Sequence, residues 1–274
     1  MKRYLFGESI QGASHKRQAK VCQDSHRIDS GRDIAIVSVA DGHGSESCPY
    51  SKTGSVIAVN VFNSVMAIYY ASYKKQRNGV KALMRFLNRE GDLKVAKTID
   101  EEWKRRVYKQ HCNRHREIPL DKDGNPDKDA VYKMYGCTLL GLVITNSYTF
   151  AFQLGDGDIT YCDATSTLPL IEPDKLLGVE THSLSGKDSW KKAIASVKAR
   201  DIKKGTPYMY MLSTDGMANS FRSQEEFEKT CANYYETIQD YGFEAIEDNL
   251  SDWLEETSEQ GCGDDVTAVF AYYE

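Results

Sequence analysis

Four apolar runs in this chain each carry an aspartate at one end, and that recurrence constrains the fold more than any other feature. IVSVA (36–40) is followed by Asp41-Gly42, FAFQLG (150–155) by Asp156-Gly157 and MYMLST (209–214) by Asp215-Gly216, while VTAVFAYY (266–273) is preceded by Asp264-Asp265. One Asp-Gly after a strand is an ordinary tight turn. Four strands ending alike can lie side by side, and their carboxylates then converge on one edge of the sheets. Such a cluster repels itself, because like charges a few ångströms apart raise one another's pKa. A divalent cation relieves the repulsion, and oxygen donors with few His or Cys nearby suit Mg²⁺ or Mn²⁺ over zinc or copper. Glycine after aspartate lets the backbone approach the ion and offer its carbonyl.

The runs 34–40, 139–145, 148–154, 159–162, 208–213 and 266–273 are rich in β-branched and aromatic residues and read as strands. Tight-turn sequences at TNSY and LGDGDI leave no room for crossover helices, which predicts an antiparallel meander there and disfavours a doubly wound parallel sheet. Segments 52–73, about 80–115 and 223–258 carry helical spacing, the last opened by a capping box of Ser223 and Glu226. A short helical piece is also expected in SWKKAIASVKA, within a stretch (163–206) that could form a flap over a site. The fold class is therefore α+β, with helices covering a pair of antiparallel sheets, in one domain over 1–274.

Thirty-five Lys plus Arg against forty Asp plus Glu give a net charge of −5 with no basic block, which argues against nucleic acid as a partner. The amino terminus has only a three-residue apolar stretch, and no apolar run reaches about 18 residues, so neither a signal peptide nor a membrane anchor is expected. Seven scattered cysteines without C-x-x-C suit a reducing, cytoplasmic setting, and Cys262 in GCGDD reads as a packing residue. The polar loop PLDKDGNPDKDAV (119–131) lacks the residue order of a calcium loop and reads as a solvated turn.

Six motifs, GASHKRQAKVCQDS, VSVADGHG with SKTGSVIA behind it, YGCTLLGLVI, FQLGDGDITY, MLSTDGMANSF and GDDVTAVF, run in one order across nearly the whole chain. In that order they resemble the metal-dependent serine/threonine protein phosphatases, the PPM or type 2C family, in a bacterial-style branch. The resemblance implies a β-sandwich flanked by helices on both faces, with a binuclear Mg²⁺/Mn²⁺ centre at one end. Asp41 would bridge the two ions, Asp215 and Asp264 would hold the first, and the Gly42 carbonyl would help hold the second. Asp24 would support the second ion from a distance, and Asp156 with Asp215 resembles the pair that holds a third, weaker metal. Asp265 stands where the family often has asparagine and ranks below Asp264 as a ligand. Gly136 and Thr138 match a structural strand motif.

The resemblance further implies phosphoserine and phosphothreonine hydrolysis by a water shared between two ions, with His43 as general acid to the alkoxide leaving group. A phosphorylated protein is the expected substrate and a monomer the expected state. Where many members carry a phosphate-gripping arginine, this chain has Ala19, and the grip is assigned instead to His15 and Arg17. The missing arginine leaves open a silent relative that binds phosphoproteins as an adaptor, and a hydrolase of a small phosphate ester is a third reading.

Overall fold

The computed structural model describes residues 2–172, 182–200 and 206–274. In chain order the elements are β1 (Arg3–Ile10), α1 (Ala13–Arg17), β2 (Ser25–Gly31), β3 (Ile34–Ala40), α2 (Ser51–Lys74), α3 (Gly79–Glu90), α4 (Ala96–Asn113) and α5 (Lys128–Lys133). There follow β4 (Leu139–Thr145), β5 (Tyr148–Leu154), β6 (Asp158–Asp163), β7 (Ser166–Pro169), β8 (Ile194–Ala199), β9 (Tyr208–Ser213), α6 (Asp215–Ala218), α7 (Gln224–Tyr241), α8 (Glu244–Gln260) and β10 (Val266–Tyr273).

The strands form two antiparallel five-stranded sheets, ordered β1-β10-β9-β6-β7 and β2-β3-β4-β5-β8. Alternation along each strand builds three apolar layers from two sheets. In β4, Leu140, Leu142 and Ile144 fill the space between the sheets, while Leu139 and Val143 face α2, α3 and α4. In β10, Val269, Ala271 and Tyr273 face the other sheet, while Val266, Ala268, Phe270 and Tyr272 pack with α7 and α8. The result is the expected order of helix, sheet, sheet, helix. α2 is long and apolar enough to cross a membrane by length and composition, and it packs Ala58, Phe62 and Met66 into the core beside β3 and β4.

Four local expectations differ from the structure. LGDGDI is not a hairpin: β5 pairs with β4 and β8, whereas β6 pairs with β7 and β9, so the chain changes sheet at Asp156. SWKKAIASVKA holds only a single 3₁₀ turn (Ser189–Lys192) and then becomes edge strand β8, where Lys198 and the alanines suit a half-exposed position despite their helical bias. The 80–115 segment is broken at Gly91, where a π-helical turn (Gly91–Val95) begins; a Cβ there would sit 2.7 Å from the Phe150 ring. The 223–258 segment is two helices separated at Gly242, whose φ of 88° is left-handed. Ser223 does cap α7, accepting from the Glu226 amide at 3.2 Å. Loop 119–131 turns about Asp121, which accepts the amides of Asp123 and Asn125, and its end starts α5. Of the proposed flap, 173–181 and 201–205 lie outside the described residues.

One glycine fixes how closely α2 approaches the site-bearing loop. A Cβ on Gly54 would lie 1.9 Å from the Tyr135 carbonyl oxygen, and the Gly54 carbonyl accepts from the buried Trp103 indole at 3.0 Å. Neither backbone can give way without breaking other bonds. Gly54→Ala is expected to cost about 2–3 kcal/mol or more, as overpacking of a closed core does. A urea midpoint equal to that of the wild type would refute this.

Candidate metal centre

Each strand-end aspartate is delivered by a local device. Asp41 follows β3, and its backbone is pinned by Thr138, whose hydroxyl accepts the Asp41 amide (3.0 Å) and whose amide donates to the Asp41 carbonyl (2.8 Å). Gly42 forms a bridge with Cys137, and a Cβ there would stand 2.7 Å from the Gln23 carbonyl, so only glycine fits. Asp156 sits between Gly155 and Gly157, both at positive φ (99° and 107°), which turns the chain from one sheet into the other. Asp215 begins α6 after β9, with its Oδ2 accepting from the Asn219 side chain at 2.9 Å. Asp264 precedes β10 and its side chain is 54% exposed.

These ends converge. Asp41, Asp156, Asp215 and Asp264 line one cleft of about 870 Å³, together with Gly42, His43 and His15. Asp24 lies behind it, 1% exposed, with Oδ2 accepting from Thr214 (2.6 Å) and Thr267 (2.9 Å). Its Oδ1 is buried and accepts no hydrogen bond from the described residues.

Electrostatics follow from this crowding. Burial, then the charges of Asp24, Asp215 and Asp264, push the Asp41 carboxyl well above the usual range. Burial is also the main cause that lifts Asp24 to about 7, with Asp265 adding to it and the Thr214 and Thr267 hydroxyls opposing it. Asp215 rises to about 7 through burial and the charges of Asp156 and Asp264. Carboxyls held against their own ionisation, one with an orphaned buried oxygen, fit a hard divalent cation.

The remaining expected residues are placed as follows. His43 lines the cleft, its amide donating to the Gly136 carbonyl (3.1 Å); a Cβ on Gly136 would stand 2.7 Å from the His43 ring. Asp265 is 3% exposed and accepts the amides of Gly12 (2.7 Å) and Gln23 (2.6 Å), tying the segment after β1 to β10. His15 is wedged between two carboxylates, with Nδ1 2.9 Å from Asp265 and Nε2 4.0 Å from Asp264. Ligand atoms of these three residues lie within 4.8 Å of one another. Arg17 is exposed on α1 and is not among the cleft-lining residues. The cations that do line the cleft are Lys133, Lys187 and Lys192, which sequence reasoning missed. Lys192 lies in SWKKAIASVKA, where a helical piece was expected; Lys187 stands just before it, and Lys133 is more than fifty residues away.

A family model described as protein phosphatase 2C matches residues 11–255. No match is found among curated proteins. Among solved structures the chain is similar to a bacterial serine phosphatase, with 13% identity, a TM-score of 0.61, and 100% of this chain and 98% of that one covered. It is similar to the catalytic domain of the serine/threonine protein phosphatase PstP in complex with two manganese ions (12% identity, TM-score 0.55, 99% of each chain). It is also similar to RsbX in complex with magnesium (14% identity, TM-score 0.52, 99% of this chain and 96% of that one). At these identities the likenesses carry the fold. The enzyme class and the Mg²⁺/Mn²⁺ dependence expected from the motifs accord with the family that matches. The chain belongs to the protein phosphatase 2C family.

Proposed function

We propose that this chain hydrolyses phosphoserine and phosphothreonine in proteins, using two Mg²⁺ or Mn²⁺ ions held by Asp41, Asp215, Asp264 and the Gly42 carbonyl. Asp24 supports them from behind, and Asp156 with Asp215 offers a place for a third. When bound, such ions supply Lewis acidity and lower the pKa of water they coordinate. The observation that carries the reading is the forced proximity of Asp41 and Asp215 in the cleft and Asp24 behind it, each held above the usual carboxylate range.

The chain's own residues divide the remaining work. Thr138 fixes the Asp41 backbone on both sides, so the carboxylate is aimed before any ligand arrives. His43 follows two residues later on the cleft wall, with its ring packed near Gly136. Its role is to hold a proton at the ring and hand it to the departing serine or threonine oxygen, a poor leaving group unless protonated.

Two measurements test this. Wild-type protein should dephosphorylate a phosphopeptide with Mn²⁺ and lose that activity with a chelator. Manganese binding without turnover of any phosphopeptide would point to an adaptor, and preferred turnover of nucleotides or sugar phosphates to a small-ester hydrolase. His43→Gln should cut turnover of a phosphoserine peptide by about 10²-fold, the usual scale of acid catalysis. Against p-nitrophenyl phosphate, whose leaving group needs no proton, the loss should be several-fold smaller. Equal losses on both substrates would remove the acid role.

A further inference from the structure

The cleft that gathers the strand-end aspartates is also lined by lysines. The segment 182–192 is fastened as a rigid platform: the Leu184 amide donates to the Cys137 carbonyl (3.0 Å), Ser183 Oγ accepts the Cys137 amide (3.1 Å), and Ser189 bonds Asp100. Lys104 braces it from α4, donating to the Gly186 carbonyl and to Asp100, each at 3.0 Å. Of the lysines on and around this platform, Lys104 is neutralised by Asp100 and Lys191 by Asp188. Lys187 and Lys192, with Lys133 at the end of α5, face the cleft, are exposed, and make no ion pair with a described residue.

The chain as a whole is negative, at −5, so three ammonium groups without an ion pair lining one cleft are a local concentration of positive charge beside its four aspartates. Their exposure sets them apart from the half-buried Asp41 and the buried Asp24. The cleft volume, about 870 Å³, lies near the upper end for small-ligand sites and leaves room for several residues around a phosphoresidue. Lysines bind as flexible point charges and suit carboxylates at variable positions better than one fixed phosphate fork.

We propose that Lys133, Lys187 and Lys192 select phosphopeptides with acidic residues flanking the phosphoserine or phosphothreonine. This rests on the phosphatase reading above. Three exposed ion pairs formed together give about a tenfold preference at low salt. The test compares two manganese-dependent substrates of equal length, one flanked by Asp and Glu and one by Lys. Wild type should show kcat/KM about tenfold higher for the acidic peptide, and Lys187→Glu/Lys192→Glu should erase or reverse that ratio. Because both peptides are read on the same variant, a general loss of activity cancels. Should the variant not fold, salt supplies the second readout: the wild-type ratio should collapse between 50 and 500 mM NaCl. Equal hydrolysis of both peptides by wild type overturns the preference while leaving the phosphatase reading intact. No hydrolysis of either overturns the phosphatase reading and the preference with it.

Discussion

Asp41→Asn and Asp215→Asn are each expected to lower manganese-dependent hydrolysis of a phosphopeptide by about a thousandfold or more, as loss of a charge that would hold a catalytic metal should. Asparagine is nearly isosteric, and the Thr138 bonds go to the Asp41 backbone, so the loop should stay in place. What is removed is one negative charge from a group surrounded by Asp24, Asp215 and Asp264. The same substitution therefore relieves repulsion in the metal-free protein. Activity and metal-free stability should move in opposite directions, a combination that a purely structural role for Asp41 does not produce. Retained turnover in both variants would contradict the assignment of the centre.

The second large effect concerns pH. Burial and neighbouring carboxylates push Asp24 and Asp215 up to about 7 in the folded chain and Asp41 well above its ordinary value, against about 4 when unfolded. Between those values the folded state binds more protons than the unfolded state, so metal-free stability falls as pH rises from about 4 through 7. His26 works the other way: burial lowers its pKa, so the folded form gains as pH rises through the ordinary imidazole range. Comparing wild type with Asp41→Asn/Asp215→Asn at each pH cancels that opposing contribution. Wild type without metal should lose several degrees of Tm between pH 5 and 8 relative to the double variant. Saturating Mn²⁺, at about a hundred times its Kd, should restore about 2.7 kcal/mol, or roughly 5–10 °C, at pH 8. At pH 5 protons compete with the ion and the gain should be smaller. A metal-induced shift independent of pH, or one kept by the double variant, would contradict this account.

Much of this fold was legible because its central strands are apolar on both faces. β3, β4, β5, β9 and β10 have continuous β-branched and aromatic runs with turn residues at their ends, and their limits match the sequence reading. β1 and β2 were missed because they are only half-buried: RYLFGESI and SHRIDSG interleave charges with apolar residues and carry no turn signal of their own. The change of sheet at Asp156 was hidden for a different reason. Gly155 and Gly157 would suit a hairpin equally well, and only packing of β6 on β9 decides otherwise.

The site divides along the same line. Aspartates at strand ends are marked by the strands that carry them, so Asp41, Asp156, Asp215 and Asp264 could be placed together from local pattern and topology alone. Asp24 carries no such apolar lead and stood on the resemblance. The burial that raises these carboxyls, and the clamp of Asp265 on Gly12 and Gln23, depend on chain segments some 240 residues or more apart. The lysines of the cleft were not legible as a group, because Lys187 and Lys192 reach it only through 182–192 being fastened to Cys137 and Asp100 from two other parts of the chain.

The most direct test of the centre is manganese titration of the wild-type chain followed by calorimetry and electron paramagnetic resonance at saturation. This account expects at least two Mn²⁺ per chain, with the spectrum of a spin-coupled pair about 3.5–4 Å apart, and expects that spectrum to vanish in Asp41→Asn. A single isolated Mn²⁺ signal at saturation, or a coupled pair that survives loss of the Asp41 charge, would contradict it.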